Sequence, residues 1–456
     1  MHDVAIVGAG VVGCAVARGL ARYRVSCVVV DRAGDVGAGT SKANTAILHT
    51  GFDTEPGTLE STLVRRGHAL LADYAGRAGI ALERTGALLV AWDAAQADQL
   101  DPILDKARRN GYHAAYRIDE DELRGREPHI GPGATGALVI PDEWLICPWS
   151  TTIAYATEAL GAGVEFRLGT NVTSVAAGAG HWTLATTGGP IEAHWVVNAA
   201  GLASGAVDRW FGHDGFTVAP RRGQLIVFDK LARSLVSSIL LPVPTARTKG
   251  VLVAPTVYGN ILLGPTAEDI ADPADTATTA DGLAALLDAG HRIVPELRDE
   301  EVTATYAGVR AATEHRDYQI EVHPAERYAC IGGIRSTGLT ASLAIAEYVA
   351  AELAAAGLHL EERDREPTTP RVPDLGEAGT RSYQRAELVA GDPAYGHLVC
   401  FCERVTEGDI RDAMSGPLPA TDVAGLRRRT RATNGRCQAF YCGAHVASLL
   451  AAGAGR

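Results

Sequence analysis

The front of the chain alternates between continuous apolar runs and helix-like composition. Val4-Ala5-Ile6-Val7 is apolar at every position, the pattern of a strand buried on both faces. The stretch up to about Arg22 has helical composition, and a second apolar run over 25–30 ends in Asp31. Strand, helix and strand within some thirty residues predict an α/β unit with parallel strands. Farther on, the alternating runs Gly223-Gln224-Leu225-Ile226-Val227-Phe228 and Gly259-Asn260-Ile261-Leu262-Leu263-Gly264 predict half-buried strands. A helix is predicted over about 341–355. The segment 361–391 is polar, with Pro367, Pro370 and Pro373, and reads as a linker. As flexible coil its thirty-odd residues would span roughly 30 Å. No internal repeat is visible, no signal peptide is expected before the first strand, and no apolar run reads as long enough to cross a bilayer.

The junction between the first strand and helix is Gly8-Ala9-Gly10-Val11-Val12-Gly13. Glycines at 8, 10 and 13 allow a tight turn and close backbone approach, and the helix N-terminus faces a pyrophosphate. Asp31, 18 residues past Gly13, is placed to accept hydrogen bonds from an adenosine ribose, with Arg32 beside it. This context predicts a dinucleotide site, but the motif alone does not separate FAD from NAD.

Composition adds scale. A chain of 456 residues predicts two or three domains, and 46% apolar with 21% charged residues is ordinary for a globular protein large enough to need no disulfides. The net charge of -12 argues against general nucleic-acid binding. That charge is uneven: 398–456 holds eight Arg against five Asp and Glu, or +3, leaving -15 for the rest. The run Leu426-Arg427-Arg428-Arg429-Thr430-Arg431 supplies most of it. Such a run can be a nucleic-acid or acidic-lipid patch. The preferred reading is that it balances an anionic cluster or meets an acidic partner surface.

Four of the eight cysteines fall in the last sixty residues, as Cys400-Phe401-Cys402, then Cys437 and Cys442. Two close pairs joined by a longer segment can deliver four thiolates to one centre, which suits either Zn²⁺ or an iron–sulfur cluster. The other four are scattered singly, in keeping with a reducing compartment. A cytoplasmic protein is expected, with any membrane contact made through a partner.

The segment Gly39-Thr40-Ser41-Lys42-Ala43-Asn44-Thr45-Ala46-Ile47-Leu48-His49-Thr50-Gly51 resembles the loop and H-x-G turn of the D-amino-acid-oxidase-like superfamily of FAD enzymes. Val196-Val197-Asn198-Ala199-Ala200-Gly201, Ala307-Gly308-Val309-Arg310 and Gly332-Gly333-Ile334-Arg335-Ser336-Thr337-Gly338-Leu339-Thr340 resemble its later flavin-side elements. The resemblance covers residues 3 to about 357. It implies FAD, held by Gly8, Gly10, Gly13, Asp31 and Arg32, then by Thr40, Ser41, Asn44, Ala200 and Gly201, and finally by Gly333, Arg335, Gly338, Leu339 and Thr340. It implies a Rossmann-like FAD-binding domain in three pieces (1–85, 140–205 and 300–357) and a mixed-sheet substrate domain (86–139 and 206–299). A linker (358–395) and a small iron–sulfur domain (396–456) would follow.

Residues 398–410 and 426–442 resemble the bacterioferritin-associated-ferredoxin-like [2Fe-2S] domain, which implies Cys400, Cys402, Cys437 and Cys442 as iron ligands. This module also closes the catalytic subunit of anaerobic-type, quinone-linked glycerol-3-phosphate dehydrogenases, and occurs in heteromeric amine and amino-acid dehydrogenases. The resemblance therefore implies a dehydrogenase acting on a small anionic alcohol, first glycerol 3-phosphate. Its partner would be a second redox subunit or a quinone-linked acceptor. An L-2-hydroxy acid, an amine or amino acid, and an electron-relay subunit without its own substrate stay open. His49 is the candidate base, since imidazole titrates near working pH. Arg310 and Lys249 are the candidate cations for an anionic substrate, and Tyr258 is expected to line the substrate cavity.

Overall fold

The computed structural model describes residues 1–244 and 250–453. Two large sheets and a small C-terminal module make up the molecule. The first sheet is centred on β1 (His2–Val7), with β2 (Cys27–Val30) on one side and β3 (Ile191–Asn198) on the other, all parallel. Both faces of β1 and β2 are covered, which is why their sequences are uniformly apolar rather than alternating. Tyr328–Gly332 continues the parallel set beyond β3.

In the second sheet, β4 (Val218–Phe228) runs antiparallel to β5 (Val302–Thr313), in register from Val218↔Thr313 to Val227↔Ala304, with a shift before Phe228↔Val302. Strands Ala87–Ala91, Tyr116–Asp119 and Gly136–Ile140 join this sheet, so its strands come from distant segments. The parallel pair Ile239–Pro242 with Ala87–Ala91 makes it mixed. β5, expected with the FAD-binding pieces, is thus part of the second sheet. The predicted α/β class, with a Rossmann-like unit and a mixed second sheet, is what the chain adopts.

Three helices cover the nucleotide-binding half: α1 (Val11–Leu20), α2 (Leu59–Ala78) and α3 (Gly338–Ala355). They approach closely through small residues. A Cβ on Gly67 of α2 would fall 2.3 Å from the carbonyl oxygen of Thr340, so only glycine fits there. Among the described residues α3 is the one helix long and apolar enough to cross a membrane, against the expectation of none. It is 56% buried inside the fold and serves as a core helix.

The segment expected to be a flexible linker is pinned along its length. Arg363 N–H donates to the carbonyl of Arg22, Val372 N–H to that of Ala78 and Glu377 N–H to that of Val257. Leu375 is buried. Its polar composition hides the few anchors that turn a tether into a strap.

Candidate active site and cysteine centre

A cavity of about 540 Å³ opens at the C-terminal ends of β1, β2 and β3, where an open parallel sheet binds its ligand. Gly8 and Gly10 line it beneath the first turn of α1. Gly8 has φ +110, and a Cβ there would meet the Ala199 carbonyl oxygen at 2.4 Å. Gly13 lies off the cavity; a Cβ on it would come within 1.9 Å of the Gly8 oxygen, so its role is close packing. The residue before α1 is Gly10, which has no side chain to cap the helix. The first turn borders the cavity, where a helix N-terminus suits an anion such as a pyrophosphate.

Asp31 and Arg32 line the cavity at the end of β2. The Asp31 carboxylate is braced by the N–H groups of Ala9 (2.7 Å) and Ala33 (2.8 Å). Thr40, Ser41 and Asn44 line the next wall. Ser41 Oγ accepts from Val11 N–H at 2.9 Å, and Thr40 Oγ1 donates to the Val309 carbonyl at 2.8 Å. The Asn44 side chain shapes the turn itself, donating to the Ser41 carbonyl and accepting from Ala46 N–H, which holds Ala46 at φ 58. Ala200, Gly201, Gly333, Arg335, Gly338 and Leu339 complete the lining. Arg335 is also held by the Arg316 carbonyl and, at 3.8 Å, by Glu60. Thr340 stands behind the wall and accepts from His49 N–H at 3.0 Å.

His49 lines the cavity. Its Nδ1 lies 3.0 Å from Oε2 of Glu143, which is fully buried. The other oxygen of Glu143 accepts from Thr50 N–H (2.6 Å) and the Thr50 hydroxyl (2.9 Å). A carboxylate so occupied accepts from Nδ1–H, which leaves the lone pair on Nε2. Glu143 went unnoticed in the sequence. It is 94 residues from His49 and sits in no motif.

Arg310 does not line this cavity. It sits on β5 opposite Arg221 of β4, with its guanidinium over Gly223. Burial, and then Arg221, pull its pKa below the usual arginine value. Among the described residues no carboxylate pairs with it, although Arg221 is bound by Asp269. Lys249 lies outside the described residues. Tyr258 is not at the cavity: it is buried, stacks on Trp149 with centroids 5.4 Å apart, and its hydroxyl meets Cys147 Sγ at 3.0 Å.

The four C-terminal cysteines converge as two pairs. Cys402 lies beside Cys437, and Cys400 beside Cys442. Among the described residues, no three of their sulfurs lie within 4.8 Å of one another. One tetrahedral Zn²⁺ would hold all four about 3.8 Å apart. Two plus two is the arrangement that two irons need. Five non-glycine residues near the cysteines have positive φ: Arg404, Arg431, Thr433, Gln438 and Ala439. Such turns aim backbone N–H groups inward. The N–H groups of Tyr441, Ala439 and Phe440 lower the pKa of Cys437, whereas burial pushes Cys442 up to about 11. Donors aimed at sulfur suit a negatively charged cluster. A Cβ on Gly435 would sit 2.1 Å from that of Cys402, so this turn admits only glycine.

The arginine run is not a surface patch. Arg428 and Arg429, on the helix Val423–Thr430, both bind Asp35, and all three side chains are buried. Arg431 binds Glu403 at 2.7 Å and lies 3.9 Å above the Tyr258 ring. The carboxylates that the run meets belong to the same chain: Arg428 and Arg429 dock the cysteine module onto the nucleotide-binding half through Asp35, while Arg431 pairs with Glu403 inside the module.

Burial pushes the Asp35 carboxyl up, but Arg429 and Arg428 outweigh it and hold it below the ordinary carboxylate range. A depressed pKa stabilises the fold above the unfolded value, about 3.9, and that contribution fades as pH falls through the folded value. Asp35→Asn is expected to cost roughly 3–5 kcal/mol, because two buried guanidiniums lose their carboxylate. Thermal unfolding at pH 7 reads the loss, and the gap to wild type narrows below about pH 4.

Comparison with known proteins agrees with this architecture. The FAD dependent oxidoreductase family matches residues 3–352, and the BFD-like [2Fe-2S] binding domain matches 398–452. A protein named glycerol 3-phosphate dehydrogenase from Caloramator mitchellensis is 33% identical over 453 residues, covering 99% of this chain and 94% of that one. Anaerobic glycerol-3-phosphate dehydrogenase subunit A1 of Haloferax volcanii is 25% identical over 98% of this chain and 82% of its own length. The structure of dithionite-reduced L-alpha-glycerophosphate oxidase from Mycoplasma pneumoniae, with FAD bound, superposes with a TM-score of 0.76 at 28% identity. It covers 82% of this chain and 99% of that one. With its nucleotide cavity, its paired cysteines and a family match over residues 3–352, the chain belongs to the FAD dependent oxidoreductase family and is an FAD enzyme with a BFD-like [2Fe-2S] domain.

Proposed function

We propose that this enzyme oxidises glycerol 3-phosphate to dihydroxyacetone phosphate and delivers the electrons, through its iron–sulfur domain, to an external acceptor. The observation that carries this reading is the match to a glycerol 3-phosphate dehydrogenase along 99% of the chain, cysteine module included. The chain's own chemistry supports it. His49, fixed through Nδ1 by Glu143, offers Nε2 to the proton of the substrate's C2 hydroxyl as the C2–H bond breaks. Bound FAD supplies the hydride acceptor, and a [2Fe-2S] centre carries electrons onward one at a time. Arg310, half-buried and with no carboxylate partner among the described residues, is the cation suited to a phosphate, which it can hold by two parallel hydrogen bonds.

The acceptor in this reading is a second redox subunit or a quinone-linked protein. The Haloferax relative is itself named as a subunit. Phe401, Phe440 and Tyr441, which flank the cysteines, are 67%, 82% and 74% exposed, so an approaching acceptor meets apolar rings at the cluster.

An anaerobic titration of purified holoenzyme tests the assignment, followed by flavin bleaching near 450 nm and by iron–sulfur absorption. Glycerol 3-phosphate added stepwise is expected to bleach the flavin and, beyond one equivalent, to reduce the cluster as well. Bleaching by L-2-hydroxyglutarate or a proline-like amine instead would transfer the same site to that substrate. Bleaching by dithionite alone would make the chain a relay subunit.

A further inference from the structure

The helix Ala94–Arg109 buries Leu100, Leu104 and Ala107, one face at helical spacing, and packs against the strands Ala87–Ala91 and Gly136–Ile140 of the second sheet. It ends in a compact cap. Gly111 has φ +75, its N–H donates to the Arg108 carbonyl at 2.9 Å, and Tyr112 N–H donates to that of Ala107 at 2.9 Å. This is the Schellman arrangement, in which a glycine in the left-handed region lets the chain turn back on the helix end. The residues on either side of that glycine, Asn110 and Tyr112, reach the two segments that carry His49 and Glu143.

Asn110 is 8% exposed. Its Nδ2 donates to the carbonyls of Thr54 at 2.8 Å and Gly51 at 3.0 Å, and its Oδ1 accepts from Ser61 Oγ at 3.0 Å. Backbone carbonyls only accept, which fixes the end of the amide that carries nitrogen. Thr54 Oγ1 donates to the same Gly51 carbonyl at 2.7 Å. The turn 51–54, directly after His49-Thr50, is therefore held at both ends by one buried amide.

Tyr112 grips the other partner. Its hydroxyl donates to Asp142 Oδ2 at 3.1 Å and accepts from Asp142 N–H at 3.2 Å. Asp142 is the residue before Glu143. His49 and Glu143 are 94 residues apart and meet through one contact of 3.0 Å. Thr340 fixes His49 from its N–H side, and the cap fixes the chain downstream of it.

We infer that Asn110-Gly111-Tyr112 is the jig that aligns His49 with Glu143, with Asn110 and Tyr112 as positioning residues for the base. The inference rests on His49 acting as proposed above. A general base works only within hydrogen-bond reach of its proton, and a displacement of about 1 Å can cost about 100-fold in rate. Neither Asn110 nor Tyr112 lines the nucleotide cavity, so both act through the residues they hold.

Asn110→Ala frees the turn, and Tyr112→Phe removes only the hydroxyl that holds Asp142. Anaerobic stopped-flow at 450 nm on the FAD- and cluster-loaded enzyme reads flavin reduction by saturating glycerol 3-phosphate. Asn110→Ala is expected to slow it roughly 10- to 100-fold, and Tyr112→Phe roughly 3- to 10-fold. The substrate concentration for half-maximal rate, the FAD content and reduction by dithionite are expected to match wild type. The deciding readout is a double-mutant cycle with His49→Asn. With no base left to align, each substitution is expected to change that background by less than about twofold. If Asn110→Ala loses FAD, Tyr112→Phe carries the cycle alone. The same loss in both backgrounds, or no loss beside an intact His49, overturns the jig and leaves His49 as the base. A His49→Asn enzyme that reduces its flavin at the wild-type rate overturns the base, and the jig with it.

Discussion

Replacing His49 with asparagine is expected to slow flavin reduction by glycerol 3-phosphate by roughly 10²–10⁴-fold, the range that a positioned general base contributes. Asparagine can still offer a hydrogen-bond donor to Glu143, but it has no lone pair able to take a proton from a hydroxyl. The loss belongs in the reductive half-reaction, read by anaerobic stopped-flow at 450 nm. Dithionite should reduce the variant's flavin as readily as it reduces wild type. FAD content should also hold, because the backbone at this position is fixed by Thr340 through His49 N–H. A variant that keeps wild-type flavin reduction would remove His49 from the chemistry and leave it a packing role.

Replacing Arg310 with methionine is expected to weaken use of glycerol 3-phosphate by roughly 30- to 5,000-fold in kcat/KM. That corresponds to the 2–5 kcal/mol lost when one partner of a desolvated charge pair is removed. The fold itself should not suffer. Arg310 has no carboxylate partner among the described residues, and its charge is penalised by burial and by Arg221, so methionine relieves strain. A rise in melting temperature alongside a collapse in kcat/KM would be the signature of a cation kept for a ligand. Lysine should recover only part of the loss, since a point charge lacks the two-pronged geometry of guanidinium. Glycerol, without phosphate, should be turned over equally poorly by both forms. If Arg310→Met leaves KM for the phosphate substrate unchanged, the anion site lies elsewhere.

What the sequence disclosed was local. Gly8, Gly10, Asp31 and the 39–51 loop act within short spans, and the fold delivers them to one cavity. The paired cysteines were legible for the same reason. What stayed hidden depends on contacts between distant segments. Glu143 has no motif, because its importance comes from meeting His49 across 94 residues. β5 reads like a flavin-side element, yet its hydrogen bonds go to β4 in the other sheet. The arginine run looked like a surface feature because charge is usually solvated. Its burial is visible only once Asp35 and Glu403 are in place. The linker shows the same limit, since three backbone hydrogen bonds and one leucine leave no trace in composition.

The clamp between Asp35 and the two arginines also bears on how fast electrons can leave the flavin. Many redox modules ride on tethers, and their transfer rates include a search for the productive pose. Here the module is bolted down by buried charge pairs and its strap is pinned at several points. On the electron route proposed above, the gap between flavin and cluster would then be a constant of the fold. Turnover would be governed by driving force and by the arrival of the acceptor, with no internal swing to be timed.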